Sequence, residues 1–218
     1  MSVVKIPFAN KSNREALIEW DEFLAAIRDS TPVDVNETDA EKTARIKRLE
    51  KPGNQEEWFE YYFPKYCFCK PAGFHIKSTK NVLNNSRIYQ TRAWARGLSK
   101  STRRMFEMFY KKFVLKKRLN LLLISKSETN AIRLLSPYRG NLEGNQRLIN
   151  DYGIQKRVGK WTEDEFITRD KSSFRAVGME QNPRGAKLEE LRTNELIFDD
   201  ADDDEVIRNP DRLNDQWN

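Results

Sequence analysis

The residues best suited to chemistry in this 218-residue chain lie in Trp94-Ala95-Arg96-Gly97-Leu98-Ser99-Lys100-Ser101-Thr102. A lysine followed by two hydroxyls, where a turn enters a helix, suits phosphate binding. Backbone N–H groups at the helix start meet the phosphates, Lys100 reaches the β and γ oxygens, and the Ser101 hydroxyl ligates Mg²⁺. Counted back from Lys100, the glycines of the usual spacing fall on Trp94 and Ser99. The pattern alone is therefore also compatible with a basic strand–helix junction on a surface.

A second set of candidates follows about a hundred residues later, in Glu195-Leu196-Ile197-Phe198-Asp199-Asp200, with the acidic string Asp202-Asp203-Asp204-Glu205 behind it. A buried strand that ends in carboxylates is what a nucleotide site needs opposite its phosphate loop. Asp199 is placed to hold hydrated Mg²⁺, and Asp200 to polarise an attacking water. Alone, an acidic run is a solvated face. Downstream of a lysine–serine loop it reads as the second half of one site.

Such a site needs elements to carry it. Arg87-Ile88-Tyr89-Gln90-Thr91-Arg92-Ala93 reads as a strand leading into the loop. Ser101 to Arg118 has Met105, Phe106, Phe109, Phe113 and Val114 at helical spacing. Leu119 to Ser125 is nearly all apolar, as in a strand buried on both faces of a parallel sheet. Together these predict a βαβ unit. Glu128 to Asn150 is predicted helical, with interruptions at Ser136-Pro137 and Gly144. Trp161 to Thr168 and Ser173 to Val177 suggest a hairpin or two short strands. Glu180 to Gly185 is a loop, and Pro210 to Trp217 begins a helix.

Ahead of the loop, Ser12 and Glu15 form a capping box for a helix ending near Asp29. Asp39 to Glu50 is a charged helix stopped by Lys51-Pro52-Gly53-Asn54. The aromatic cluster Trp58, Phe59, Tyr61, Tyr62, Phe63, Tyr66 and Phe68 either closes one edge of the core or offers a platform for stacking adenine. Phe74-His75 to Leu83 is a further helix. The domain expectation is a helical arm over 1–54 and one domain over 55–218.

The net charge of +6 and pI near 9.2 favour a polyanionic partner. Between Arg87 and Arg118 eleven basic residues face the single acid Glu107, which predicts one positive face. Cys67 and Cys69 are too close to pair and lack partners for a zinc site, which fits a reducing, intracellular setting. No leader and no long apolar run is evident, so a soluble protein is expected. His75, the sole histidine, is read as a packing or strand-end residue.

In this order the pieces resemble the ATPase domain of phage terminase large subunits, the motors that pump DNA into proheads. The resemblance covers roughly Glu56 to Asn218 and rests on Glu57-Trp58-Phe59 through Phe74-His75, Ala95 to Thr102, Leu122 to Ser125, Lys160 to Phe166, Pro183-Arg184-Gly185, and Leu196 to Asp200 with Asp203-Asp204-Glu205. Terminases use a deviant loop with arginine four residues before the lysine, as Arg96 stands here, and with relaxed glycines. The resemblance implies a P-loop NTPase-type (ASCE) α/β fold, a mostly parallel sheet flanked by helices behind a helical N-terminal arm. It implies ATP and Mg²⁺ as ligands, bound by the loop Arg96, Gly97, Leu98, Ser99, Lys100, Ser101 and Thr102. Ser101 and Asp199 would hold the metal and Asp200 the attacking water. Asp200 stands where the family usually has glutamate. Arg184 matches an arginine that some members present to the neighbouring subunit's nucleotide.

The implied function is ATP-driven DNA translocation. Its implied partners are double-stranded DNA, a homo-oligomeric ring on a portal and prohead, and a small terminase subunit, with no membrane. The implied location is the host cytoplasm rather than the virion structure. Family members continue past the acidic strand with a coupling motif and a nuclease domain. The resemblance thus implies a sheet incomplete at its C-terminus, completed by another polypeptide or lost in a truncated gene product. The alternatives are a non-catalytic nucleotide- or DNA-binding terminase fragment and a helicase-like P-loop ATPase.

Overall fold

Asn120–Ser125, buried along its whole length and apolar from Leu121 to Ile124, forms the inner strand β1 of the sheet. The computed structural model describes residues 13–179 and 192–199. Within them seven helices flank a five-stranded sheet, an α/β architecture. The helices are α1 (Asn13–Ser30), α2 (Asp39–Leu49), α3 (Gln55–Tyr62), α4 (Gly73–Asn84), α5 (Lys100–Phe113), α6 (Glu128–Gly144) and α7 (Gln146–Tyr152). The remaining strands are β2 (Lys156–Trp161), β3 (Glu165–Thr168), β4 (Ser173–Gly178) and β5 (Glu195–Phe198), in the spatial order β2-β3-β4-β1-β5.

β1 runs parallel to both β4 and β5, whereas β2, β3 and β4 form an antiparallel meander. The sheet is therefore mixed and open, not mostly parallel. The cause is local: the short connections after β2 and β3 permit only antiparallel return, while a parallel neighbour needs a long crossover. Alternate residues of β1 serve opposite faces. Leu121 and Leu123 join the main core with Phe166, Phe174 and Ile197, while Leu122 and Ile124 meet Val177 and Met179 on the other side.

Helix α5 lies at the centre of that main core. Trp58, Phe59 and Phe63 pack on its Phe106, Phe109 and Tyr110, with Phe63 stacked on Phe106 at 4.9 Å and on Phe109 at 5.3 Å. The aromatic cluster after Gln55 is thus core for Trp58, Phe59, Tyr62 and Phe63, and Phe68 remains exposed. Because α5 is enclosed, its cations cannot make the expected positive face. Arg103, Lys111 and Lys112 are buried and paired with Glu56, Glu195 and Asp170, and Arg92 pairs with Glu107. Charges within a low-dielectric interior need such partners, and those of the three buried α5 cations come from three other parts of the chain.

Two further expectations change. Helix α6 runs through Pro137 without a break, and α1 packs along it. A Cβ at Gly140 would overlap the Phe23 ring, and one at Gly144 would come within 3.2 Å of Leu24, so the two glycines let α1 and α6 approach closely. That contact supports the helix where proline removes a hydrogen bond. The second change concerns Arg87 to Ala93, which belongs to no strand. Its exposure still alternates, with Tyr89, Thr91 and Ala93 outward and Ile88, Gln90 and Arg92 half-buried. Yet no backbone hydrogen bond forms over 88–93 among the described residues. The chain is extended, but no neighbouring backbone meets it.

The helices of the 1–54 segment dock on α6 and α7. Thr38 and Glu41 cap α2, whose Arg45 pairs with Asp151 at 2.6 Å and whose Lys42 Nζ donates to the Asn150 carbonyl at 2.7 Å. The expected loop at Glu180 to Gly185, the helix from Pro210 and the capping box at Ser12 lie outside the described residues.

Candidate phosphate site

The turn before α5 is tight and left-handed where it must be. Gly97 has φ 84°, Ser99 has φ 54° and ψ 34°, and the Leu98 N–H donates to the Ala95 carbonyl. A serine at positive φ costs conformational energy that a glycine would not. Ser99, where the usual spacing has glycine, thus takes a left-handed conformation that glycine would adopt at no cost. α5 then starts at Lys100, so the N–H groups of its first turn are the free donors of a helix N-terminus.

Two side chains hold the turn. His75 Nδ1 accepts from the Ala72 N–H at 3.0 Å, so that nitrogen carries no proton, and Nε2–H donates to the Leu98 carbonyl at 3.1 Å. Lys100 Nζ donates to the Trp94 carbonyl at 3.0 Å. His75 thus positions the loop, a role that sequence reasoning missed. No sequence signal pointed to it, because its partner across the loop is a main-chain carbonyl.

Across the turn, the Ser101 hydroxyl donates to the Asp199 carboxylate. Asp199 follows β5, and its N–H donates to Ile124 at the end of β1 at 3.0 Å. Two residues nearly a hundred positions apart therefore meet at the C-terminal ends of two parallel strands, where open α/β sheets present their ligands. Arg96 is exposed and has no ion-pair partner among the described residues. Thr102 is half-buried at the turn's rear. Asp200 and Arg184 lie outside the described residues.

A buried charge network grips both flanks of the loop. Glu107, fully buried, accepts from Arg92 at 2.6 and 2.7 Å and from the Thr79 hydroxyl at 2.9 Å. Thr79 Oγ1 accepts in turn from Arg103 Nε at 2.9 Å, and Arg103 also pairs with Glu56. Arg92 precedes the loop and Arg103 follows it, so Glu107 links the two through Thr79. Burial pulls the Arg92 guanidinium below its usual range, and the Glu107 charge opposes that shift.

A second, small cavity of about 60 Å³ lies behind the loop, lined by Phe59, Tyr66, Cys67, His75, Ser99 and Thr102 among others. Ligand pockets measure ~300–1,000 Å³, so this space does not hold an adenine. Burial pushes the Cys67 thiol up to about 12, which keeps it protonated and inert at neutral pH.

Among the described residues no group of three His, Cys, Asp or Glu side chains could hold a metal by itself. Mg²⁺ does not require one: it commonly takes one or two protein oxygens and completes its shell with water and phosphate. The touching oxygens of Ser101 and Asp199 suit that donor set. No helix among the described residues is long and apolar enough to cross a membrane. No protein-family model matches the sequence, and no curated protein or solved structure matches it either.

Proposed function

We propose that this chain carries a Mg²⁺-ATP site of the P-loop type, and that it is the ATPase portion of a viral DNA-packaging motor. The observation that carries the reading is the contact between Ser101, in the first turn after the loop, and Asp199, at the end of the acidic strand. A surface strand–helix junction has no need of that pairing. The α5 N-terminus and Lys100 would bind the β and γ phosphates, and Ser101 and Asp199 would hold Mg²⁺. The ion would neutralise phosphate charge. Arg96, exposed and unpaired, would reach the γ-phosphate as its charge spreads during in-line attack. Asp200 would orient the attacking water, and Arg184 would serve a neighbouring subunit in a ring.

A specific observation favours a second reading, a nucleotide-binding fragment that turns over only with another polypeptide. Among the described residues, the backbone of 88–93 makes no backbone hydrogen bond and β5 is the outer strand of the sheet. Both edges beside the loop would accept a strand.

The two readings separate in one assay. Mg²⁺-dependent ATP hydrolysis by the purified chain is expected to rise on adding double-stranded DNA and to vanish in Asp199→Asn. ATP binding without turnover, with or without DNA, would select the fragment reading. Absence of binding would remove both.

A further inference from the structure

Helix α4 and the chain after it border an open cavity of about 550 Å³ that meets the phosphate loop at Trp94. That volume falls in the ~300–1,000 Å³ range of small-molecule sites. Lys77, Asn81 and Asn84 line it at helical spacing on one face of α4, and Gln90, Arg92 and Trp94 line it from the other side. Its lining includes the cations Lys77, Lys80 and Arg92, and no carboxylate. Lys77 and Lys80 are exposed and make no ion pair among the described residues.

Arg92 marks the wall as electrostatically unfinished. Its side chain is only 6% exposed, and Nη2 is engaged by Glu107. Among the described residues Nε and Nη1 are buried without a hydrogen-bond partner, a costly state for a cation's donors. Glu107 cannot offset it fully, because that single carboxylate also faces Arg104 at 3.5 Å. The Trp94 ring lies 5.0 Å from the Arg92 guanidinium carbon and closes this end of the cavity beside Phe74.

We propose that this cavity binds a nucleotide unit through its phosphate ester. Lys77 and Lys80 engage the phosphate, and the excess positive charge around Arg92 strengthens that attraction. The amides of Asn81, Asn84 and Gln90 meet the sugar and base edges, and Trp94 offers a ring for stacking. Cations interleaved with an aromatic platform are the recurring composition of single-stranded nucleic-acid sites. An acidic peptide would use the cations but not the ring and amides together. The unit could belong to a strand or to a free nucleotide, and the assay distinguishes them. The inference stands apart from the loop's proposed ATP binding.

The test is fluorescence anisotropy with a labelled oligothymidine of about twelve nucleotides, over a salt series, on the full chain. Lys77→Glu/Lys80→Glu is expected to weaken binding at least tenfold. It should also flatten the slope of log K against log salt by about 0.7, the value for one phosphate contact on a single strand. Both lysines are exposed and unpaired, so the fold is retained. The same reversal at Lys47 and Lys51, in and just after α2, should leave affinity and slope unchanged. Displacement of the oligonucleotide by ATP from Lys100→Ala protein would assign a free nucleotide to the cavity, and resistance to ATP would assign the strand. The proposal is overturned if the oligonucleotide fails to bind the unaltered chain, if Lys77→Glu/Lys80→Glu changes nothing, or if the α2 control loses as much.

Discussion

Lys100→Ala is expected to lower Mg²⁺-ATP affinity by ~10–10²-fold and to abolish any hydrolysis, the scale of a charge-assisted hydrogen bond of about 1.5–3 kcal/mol. Lys100 is the first residue of α5, and its ammonium sits within the turn, on the Trp94 carbonyl at 3.0 Å. That short tether holds the charge beside the helix N-terminus, where phosphate would arrive. The substitution removes one hydrogen bond from a half-buried side chain, so the fold should survive and thermal unfolding should stay nearly unchanged. Titration calorimetry with Mg²⁺-ATP on both proteins reads the effect. Equal affinities would mean that the loop does not bind phosphate through its lysine.

Glu107→Ala should have the largest effect on stability, a loss of roughly 3–5 kcal/mol in denaturant unfolding. The carboxylate is fully buried and is the acceptor shared by Arg92, Thr79 and Arg104. Without it, two guanidinium groups lose their counter-charge in the interior, and Thr79 loses the acceptor that lets it face Arg103. Glu107→Gln keeps the shape and part of the hydrogen bonding, and should cost about 1–3 kcal/mol. The same pair tests a functional link. Because Arg92 and Arg103 flank the loop, ATP affinity should fall further in the alanine variant than in the glutamine one, even below the unfolding temperature of each. A loss under ~1 kcal/mol for Glu107→Ala would show the network to be dispensable.

The parts of this architecture legible in the sequence are those set by local pattern. Leu119 to Ser125 announces a doubly buried strand because it is nearly all apolar, and β1 is buried throughout. The spacing of Met105, Phe106, Phe109 and Phe113 announces α5. Ser101 and Asp199 were both named from residue type, and the fold brings them into contact. What was not legible depends on distant partners. Arg103, Lys111 and Lys112 look like a basic stripe until Glu56, Glu195 and Asp170 fold onto them. Arg87 to Ala93 has strand-forming residues, but a strand also needs a neighbour's backbone. Pro137 looked like a helix break, and packing of α1 along Gly140 and Gly144 overrode it. His75 gave no cue because its partner, the Leu98 carbonyl, is a main-chain atom.

The central claim is that the loop and the end of β5 form one Mg²⁺-ATP site, and a double-mutant cycle tests it most directly. Mg²⁺-ATP affinity would be measured for the unaltered chain, Ser101→Ala, Asp199→Asn and the double variant. A shared metal predicts that each single change weakens binding and that the second adds little, with a coupling of ~0.5–3 kcal/mol. Effects that simply add, or an Asp199→Asn variant that binds Mg²⁺-ATP as well as the unaltered chain, would contradict a common site.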